Sequence, residues 1–263
     1  MIDDLRTVET GTTFDCDLCI IGAGAAGITI ARQFLGGTHS VLLLESGGLA
    51  LEPETQELYA FQNVGLPRIR DTRYRYFGGT TNVWDGRCAQ LSAIDFEARP
   101  WVAYSGWPID GDDLHPFSDA AHAACGLALH ARQDQVASLL GISLPDLDGT
   151  KLLPHFWQFG PDGPIRFGAA HREELARSRN VRVLLHANAT NLQATSDGRM
   201  VRSVDIRTLS GVAGRVRARY VVLCCGGVEN ARVLLLSNTV ASGGLGNDRD
   251  LVGRFLMDHP RRA

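Results

Sequence analysis

The chain has 263 residues, 44% of them hydrophobic and 21% charged, with a formal net charge of −3. Those values suit a globular protein of one large or two ordinary domains, and the mild charge excludes the basic footprint of a nucleic-acid binder. No apolar run approaches the ~20 residues of a membrane span, and residues 1–13 lack the basic-then-apolar pattern of a secretion signal.

The first strong pattern runs from Phe14 to Gly48. A strand over Asp15 to Ile21 leads into Gly22-Ala23-Gly24-Ala25-Ala26-Gly27. A helix over Ile28 to Leu35 follows, then a second strand, Val41 to Leu44, ending in Glu45. A G-x-G-x-x-G turn between strand and helix, with an acid closing the next strand, is a βαβ dinucleotide-binding unit. Gly22 permits the tight turn, Gly24 leaves room for a pyrophosphate, and Gly27 lets the helix approach the sheet. The helix N-terminus offers unpaired N–H groups and a positive dipole end to phosphates. Glu45 stands where a carboxylate accepts from a ribose diol and repels a 2′-phosphate, which counts against NADP. The unit alone does not separate NAD from FAD.

Cys16 and Cys19 form a C-x-x-C, but residues three apart on a strand point to opposite faces. They read as core fillers, as do Cys224 and Cys225. With six cysteines used in this way, a reducing, cytoplasmic compartment fits best.

Ser46-Gly47-Gly48 allows the backbone to run close beneath a nucleotide, and a short helical pattern covers Glu54 to Phe61. Gly78-Gly79-Thr80-Thr81-Asn82, flanked by Tyr76, Phe77 and Trp84, is a loop rich in backbone N–H and hydroxyl donors, suited to phosphate oxygens or a flavin edge. Asp110 to Asp113 open a helix expected to reach about Cys125, with Pro116 early in it or breaking it. Residues 128–164 are weakly patterned and proline-rich.

Regular patterning returns with a helix over Ala169 to Arg179 and strands over Asn180 to Leu192, Val204 to Thr208 and Arg215 to Cys224. Asp197-Gly198 and Ser210-Gly211 supply turns for a three-stranded antiparallel meander. Arg215, Arg217 and Arg219 alternate with Val216, Ala218 and Tyr220, so the arginines form a solvated face. Tyr220 to Cys225 reads as a buried parallel strand. Gly226-Gly227-Val228-Glu229-Asn230 then turns into a helix over Ala231 to Ser237.

These stretches, together with Ser105 to Ile109 and Val252 to Pro260, make the sequence resemble the glucose–methanol–choline (GMC) oxidoreductases, more closely their bacterial sugar and polyol dehydrogenase members. The resemblance implies an α/β fold: a Rossmann-like FAD-binding fold with a parallel central sheet plus the antiparallel meander. On that basis residues 1–100 form the first part of the FAD-binding domain, 101–165 an inserted helix and loop segment, and 166–263 the second part.

The cofactor implied is FAD, held by Gly22, Gly24 and Gly27 at the pyrophosphate and by Glu45 and Ser46 at the ribose. Gly78, Gly79, Thr80, Thr81, Asn82 and Trp84 would lie along the pyrophosphate and isoalloxazine, Ala189 against adenine, and Gly226 at the second glycine turn. Val83 replaces the histidine through which some relatives tether flavin, so binding would be non-covalent. The activity implied is oxidation of a CH–OH group in an alcohol, sugar or polyol by hydride transfer to flavin. The family's substrate domain and catalytic histidine pair lie beyond the point matching residue 263, so no catalytic residue is assigned here; His259 falls in a structural Asp-His-Pro stretch. The expectation is an FAD-binding half, inactive alone. A flavin-binding subunit completed by another polypeptide and an NAD-dependent dehydrogenase are the alternatives.

Overall fold

The computed structural model describes residues 1–62, 64, 72–127, 131, 133–149, 151–152 and 154–257. It divides into two compact units, one made of 1–83 with 166–263 and the other of 84–165.

The first unit begins with β1 (Ile2–Asp4), β2 (Thr12–Ile21), α1 (Ala25–Gln33), β3 (Val41–Leu44) and α2 (Pro53–Glu57). The second unit holds α3 (Ala93–Phe96), α4 (Gly111–Leu114), α5 (Ser118–Ala124) and α6 (Gln133–Leu139). The chain then returns to the first unit as α7 (Phe167–Arg177), β4 (Val181–Leu185), β5 (Asn188–Ala194), β6 (Val201–Arg207), β7 (Ala213–Leu223) and α8 (Gly227–Leu236).

Among the described residues the strands form one seven-stranded sheet in the order β1-β4-β3-β2-β7-β6-β5. The β1–β4, β4–β3, β3–β2 and β2–β7 pairings are parallel; β7–β6 and β6–β5 are antiparallel. The architecture is therefore the expected one, a parallel sheet extended by a meander. Leu42, Leu44, Leu184, Val204, Ile206 and Val216 join one core cluster. Leu43 and Val183 alternate with them and are wholly buried, on the side where α1 and α7 pack over β3 and β4. Both faces of β3 and β4 are thus covered, which is why these two strands read as almost unbroken apolar runs.

Several boundaries differ from the sequence reading. The N-terminal segment, polar by composition, contributes the edge strand β1, and Leu5 just after it is fully buried. Helix α1 starts at Ala25 rather than Ile28, because its first turn is built from the motif's own small residues and only later shows apolar periodicity. The Asn180–Leu192 strand is in fact two, β4 and β5, broken at His186, whose φ is +52°. Only β5 belongs to the meander; β4 is a parallel strand.

Pro116 breaks the expected 110–125 helix into α4, a 3-10 turn over His115–Phe117, and α5. Tyr220 is 59% exposed and Val221 to Leu223 only half-buried. Strand β6 pairs with β7 no further than Val216, so the rest of β7 has β2 alone beside it. The arginine face of β7 is solvated as expected, with Arg215 paired to Asp205 and Arg217 to Asp15. Within the second unit, Cys88 and Gln158 form an antiparallel bridge, and the Trp84 indole N–H donates to the Ile165 carbonyl at 2.8 Å.

Candidate functional site

At the C-terminal ends of the parallel strands β2, β3 and β7 the first unit opens into a cleft of 640 Å³. This is where an open α/β sheet presents a ligand crevice, and the volume lies in the range of about 300–1,000 Å³ usual for small-molecule sites. Its floor is Ile21 to Ala26 from the glycine turn. Glu45 and Ser46 follow β3, Ala187 to Thr190 open β5, and Leu223 to Gly226 follow β7.

The glycine turn is shaped by close backbone approaches. Gly22 has φ +104°, and a Cβ there would sit 2.6 Å from the Cys224 carbonyl oxygen. A Cβ on Gly27 would lie 1.9 Å from the Gly22 carbonyl oxygen. Gly24 is the opposite case: a Cβ there meets no heavy atom within 4 Å. Gly24 is also the N-cap of α1, and no side chain caps that end among the described residues. The free N–H groups of the first turn are left to a ligand.

Glu45 is buried beside this turn. One carboxylate oxygen accepts the Ala23 N–H at 3.1 Å and the other the Gly47 N–H at 2.9 Å. Burial pushes its carboxyl above the ordinary range, against the pull of those two N–H groups and of the Arg75 charge. The segment after Tyr76 is tied to both neighbours. The Gly78 N–H donates to the Ala23 carbonyl at 2.8 Å, and the Phe77 N–H to the Gly48 carbonyl at 2.9 Å. Three stretches far apart in sequence, 22–27, 45–48 and 77–79, are thereby laced by backbone hydrogen bonds.

Gly79, Thr80 and Thr81 line the cleft. Not every donor of that loop is free: the Thr81 hydroxyl donates to the Gly78 carbonyl at 2.6 Å, and the Asn82 amide donates to the Phe77 carbonyl at 2.9 Å. These two side chains set the loop's shape. Of the other residues singled out from sequence, Gly22, Gly24, Glu45, Ser46, Ala189 and Gly226 line the cleft, whereas Gly27 and Gly78 lie behind it. Trp84 belongs to the second unit. His259 lies outside the described residues.

A charged group in the cleft wall was not read from the sequence. Glu229, in the first turn of α8, accepts from Arg75 at 2.8 Å and Arg73 at 2.7 Å, and Arg232 completes the cluster. Both Arg73 and Arg75 lie over the Tyr59 ring, 4.3 and 4.2 Å from its centroid. Burial would raise the Glu229 carboxyl, but the Arg75 charge first, then Arg232 and Arg73, hold it below the ordinary range. Two buried carboxylates of one cleft are thus displaced in opposite directions by whether a guanidinium touches them. Only the pair's adjacency to glycine turns hinted at this, since 154 residues separate Arg75 from Glu229.

Among the described residues no group of histidines, cysteines or acids is arranged to hold a metal ion, and no helix is long and apolar enough to cross a membrane. No family model matches the chain. Two characterised relatives do. It is 26% identical to 6'''-hydroxyparomomycin C oxidase of Streptomyces lividus over 91% of its own length and 54% of the relative's. It is 22% identical to 2-methyl-1,2-propanediol dehydrogenase of Mycolicibacterium austroafricanum over 94% and 55%. The chain spans about half the length of these relatives.

Among solved structures it shares the fold of pyridoxine 4-oxidase from Mesorbium loti, with a TM-score of 0.55, 21% identity and coverage of 84% of this chain and 51% of that one. Formate oxidase superposes with a TM-score of 0.58 at 16% identity, covering 88% and 48%. These neighbours are GMC oxidoreductases whose cofactor is FAD, and the sheet described above matches their FAD-binding domain.

Proposed function

We propose that this chain supplies the FAD-binding region of a GMC-type flavoprotein oxidoreductase acting on the CH–OH group of an alcohol, sugar or polyol. The observation that carries the reading is the convergence of three features on one cleft. These are the open face of Gly24 beneath an uncapped helix N-terminus, the buried Glu45 carboxylate, and the Gly79–Thr81 loop laced to both. That donor and acceptor set fits an adenine dinucleotide: N–H groups for the pyrophosphate, a carboxylate for the ribose diol.

When bound, the flavin would accept a hydride from the carbon bearing the hydroxyl. The residues of this chain bind and orient it. The N-terminal turn of α1 meets the negative charge, and Gly24 admits it to backbone distance. Glu45 Oε2, which takes the Ala23 N–H, has a second lone pair to offer the ribose while Gly47 and Ser46 hold the other oxygen in place. Val83, where a tethering histidine would stand, leaves binding non-covalent. Oxidation of an alcohol also needs a base for the hydroxyl proton. Among the described residues no histidine lines the cleft. The 263 residues by themselves are expected to hold flavin and to turn over alcohols slowly or not at all.

The substrate class rests on the oxidase and dehydrogenase relatives and on the resemblance in sequence. The test is reconstitution with FAD, followed by absorption spectroscopy after gel filtration. The expected result is about one flavin per chain, displaced by ADP and retained neither by Gly24→Ala nor after unfolding. Binding of a nicotinamide dinucleotide in preference to FAD, or of no dinucleotide at all, would overturn the reading.

A further inference from the structure

His186 is a non-glycine residue in the left-handed region, φ +52°, at the break between β4 and β5. Such a conformation persists where surrounding contacts hold it. Here the residue is 7% exposed and both ring nitrogens face carboxylates. Nδ1 lies 2.9 Å from Asp4 Oδ2, and Nε2 lies 2.9 and 3.1 Å from the two oxygens of Glu52. Each ring nitrogen thus meets a carboxylate, and the ring bridges Asp4 to Glu52. Arg6 forks onto the same Asp4 carboxylate, at 3.1 Å through Nε and 2.7 Å through a terminal nitrogen. Arg6, Asp4, His186 and Glu52 thus form one hydrogen-bonded cluster.

The ring packs on the strip that carries Glu45. A Cβ on Gly48 would lie 3.0 Å from His186 Nε2 and 2.8 Å from a Glu52 oxygen. The His186 N–H donates to the Gly47 carbonyl at 3.1 Å, and the Ala187 N–H to the Glu45 carbonyl at 2.8 Å. Directly afterwards, Ala187 to Thr190 line the cleft.

We infer that His186 is a positioning residue for the dinucleotide, its bridging ring pinning the 45–48 turn and the 187–190 segment as one wall of the cleft. The inference rests on the flavin-binding reading above. Removing the ring takes away the bridge between Asp4 and Glu52 and loosens that wall.

The test measures FAD and ADP affinity for the wild type, His186→Asn and His186→Gly, the last keeping the left-handed backbone without strain. Amide exchange at residues 186 and 187 is followed in parallel. Both variants are expected to bind about tenfold more weakly or worse, from the loss of charge-assisted hydrogen bonds. Exchange at 186 and 187 is expected to quicken in both variants. Equal affinities, or unchanged exchange at 186 and 187, would overturn the inference. If the wild type takes neither FAD nor ADP, the flavin reading fails, and unchanged exchange at 186 and 187 in the variants would then dispose of the wall as well.

Discussion

The Gly27 α-carbon is pressed so close to the Gly22 carbonyl oxygen that a methyl group there would stand 1.9 Å from it. Helix and sheet meet backbone to backbone at that point, and the approach sets the aim of the α1 N-terminus. Gly27→Ala is expected to force the helix away and to destabilise the protein by upwards of about 3 kcal/mol, read in a urea melt. An unchanged melting midpoint would show that the helix moves freely.

Gly24 separates folding from binding. Its Cβ would meet nothing within 4 Å, so Gly24→Ala should leave stability within about 0.5 kcal/mol of wild type. Flavin affinity should nevertheless fall at least about tenfold, about 1.4 kcal/mol, because the methyl group occupies the pyrophosphate's approach. Flavin titration beside the same melt checks both halves.

Glu45 gives the empty protein a pH signature. Its folded carboxyl is raised by burial, so its contribution to stability is fully present below the ordinary carboxylate range and is lost as the pH rises through the raised value. The difference between wild type and Glu45→Gln should therefore grow less favourable to wild type from acid toward neutral pH. Parallel stability curves would mean that the carboxylate is already well solvated. Flavin binding should weaken in the same variant.

Glu229 works with the opposite sign. Held low by Arg75, Arg232 and Arg73 despite burial, it contributes stability above the ordinary carboxylate range that is lost as the pH falls. Glu229→Ala strands the buried Arg75 guanidinium and the partly buried Arg73 and is expected to cost about 3–5 kcal/mol. Glu229→Gln, which keeps acceptor oxygen but no charge, should fall between. A thermal melt at neutral pH ranks the three.

The thiols should be quiet. Burial pushes Cys225 up to about 12 and Cys16 up to about 11, leaving almost no thiolate at neutral pH. Mass spectrometry after iodoacetamide treatment is expected to find both unmodified in the folded protein and alkylated once it is unfolded. Rapid modification in the native state would contradict their placement against the sheet.

Much of this was legible in one dimension because its causes are local. The 22–27 turn, the apolar β3 and the acid ending it carry their own periodicity and glycine spacing, and they fold into the unit those signals describe. The meander was equally readable from its turns, and its solvated arginines from alternation. His186 was not, since its left-handed backbone depends on Asp4 and Glu52, 182 and 134 residues away. Nor was β1, whose Ile2-Asp3-Asp4 becomes a strand only because β4 offers an edge.

The sequence by itself determined that a strand–glycine–helix unit exists and which carboxylate closes it, since backbone sterics and hydrophobic period act within a few residues. Tertiary structure alone decided what faces that unit. It brought the 77–79 loop onto Ala23 and Gly48, buried Glu45 without a guanidinium in contact, and set Arg75 on Glu229 instead. Electrostatics and desolvation depend on distance in space, and no spacing along a chain encodes that distance.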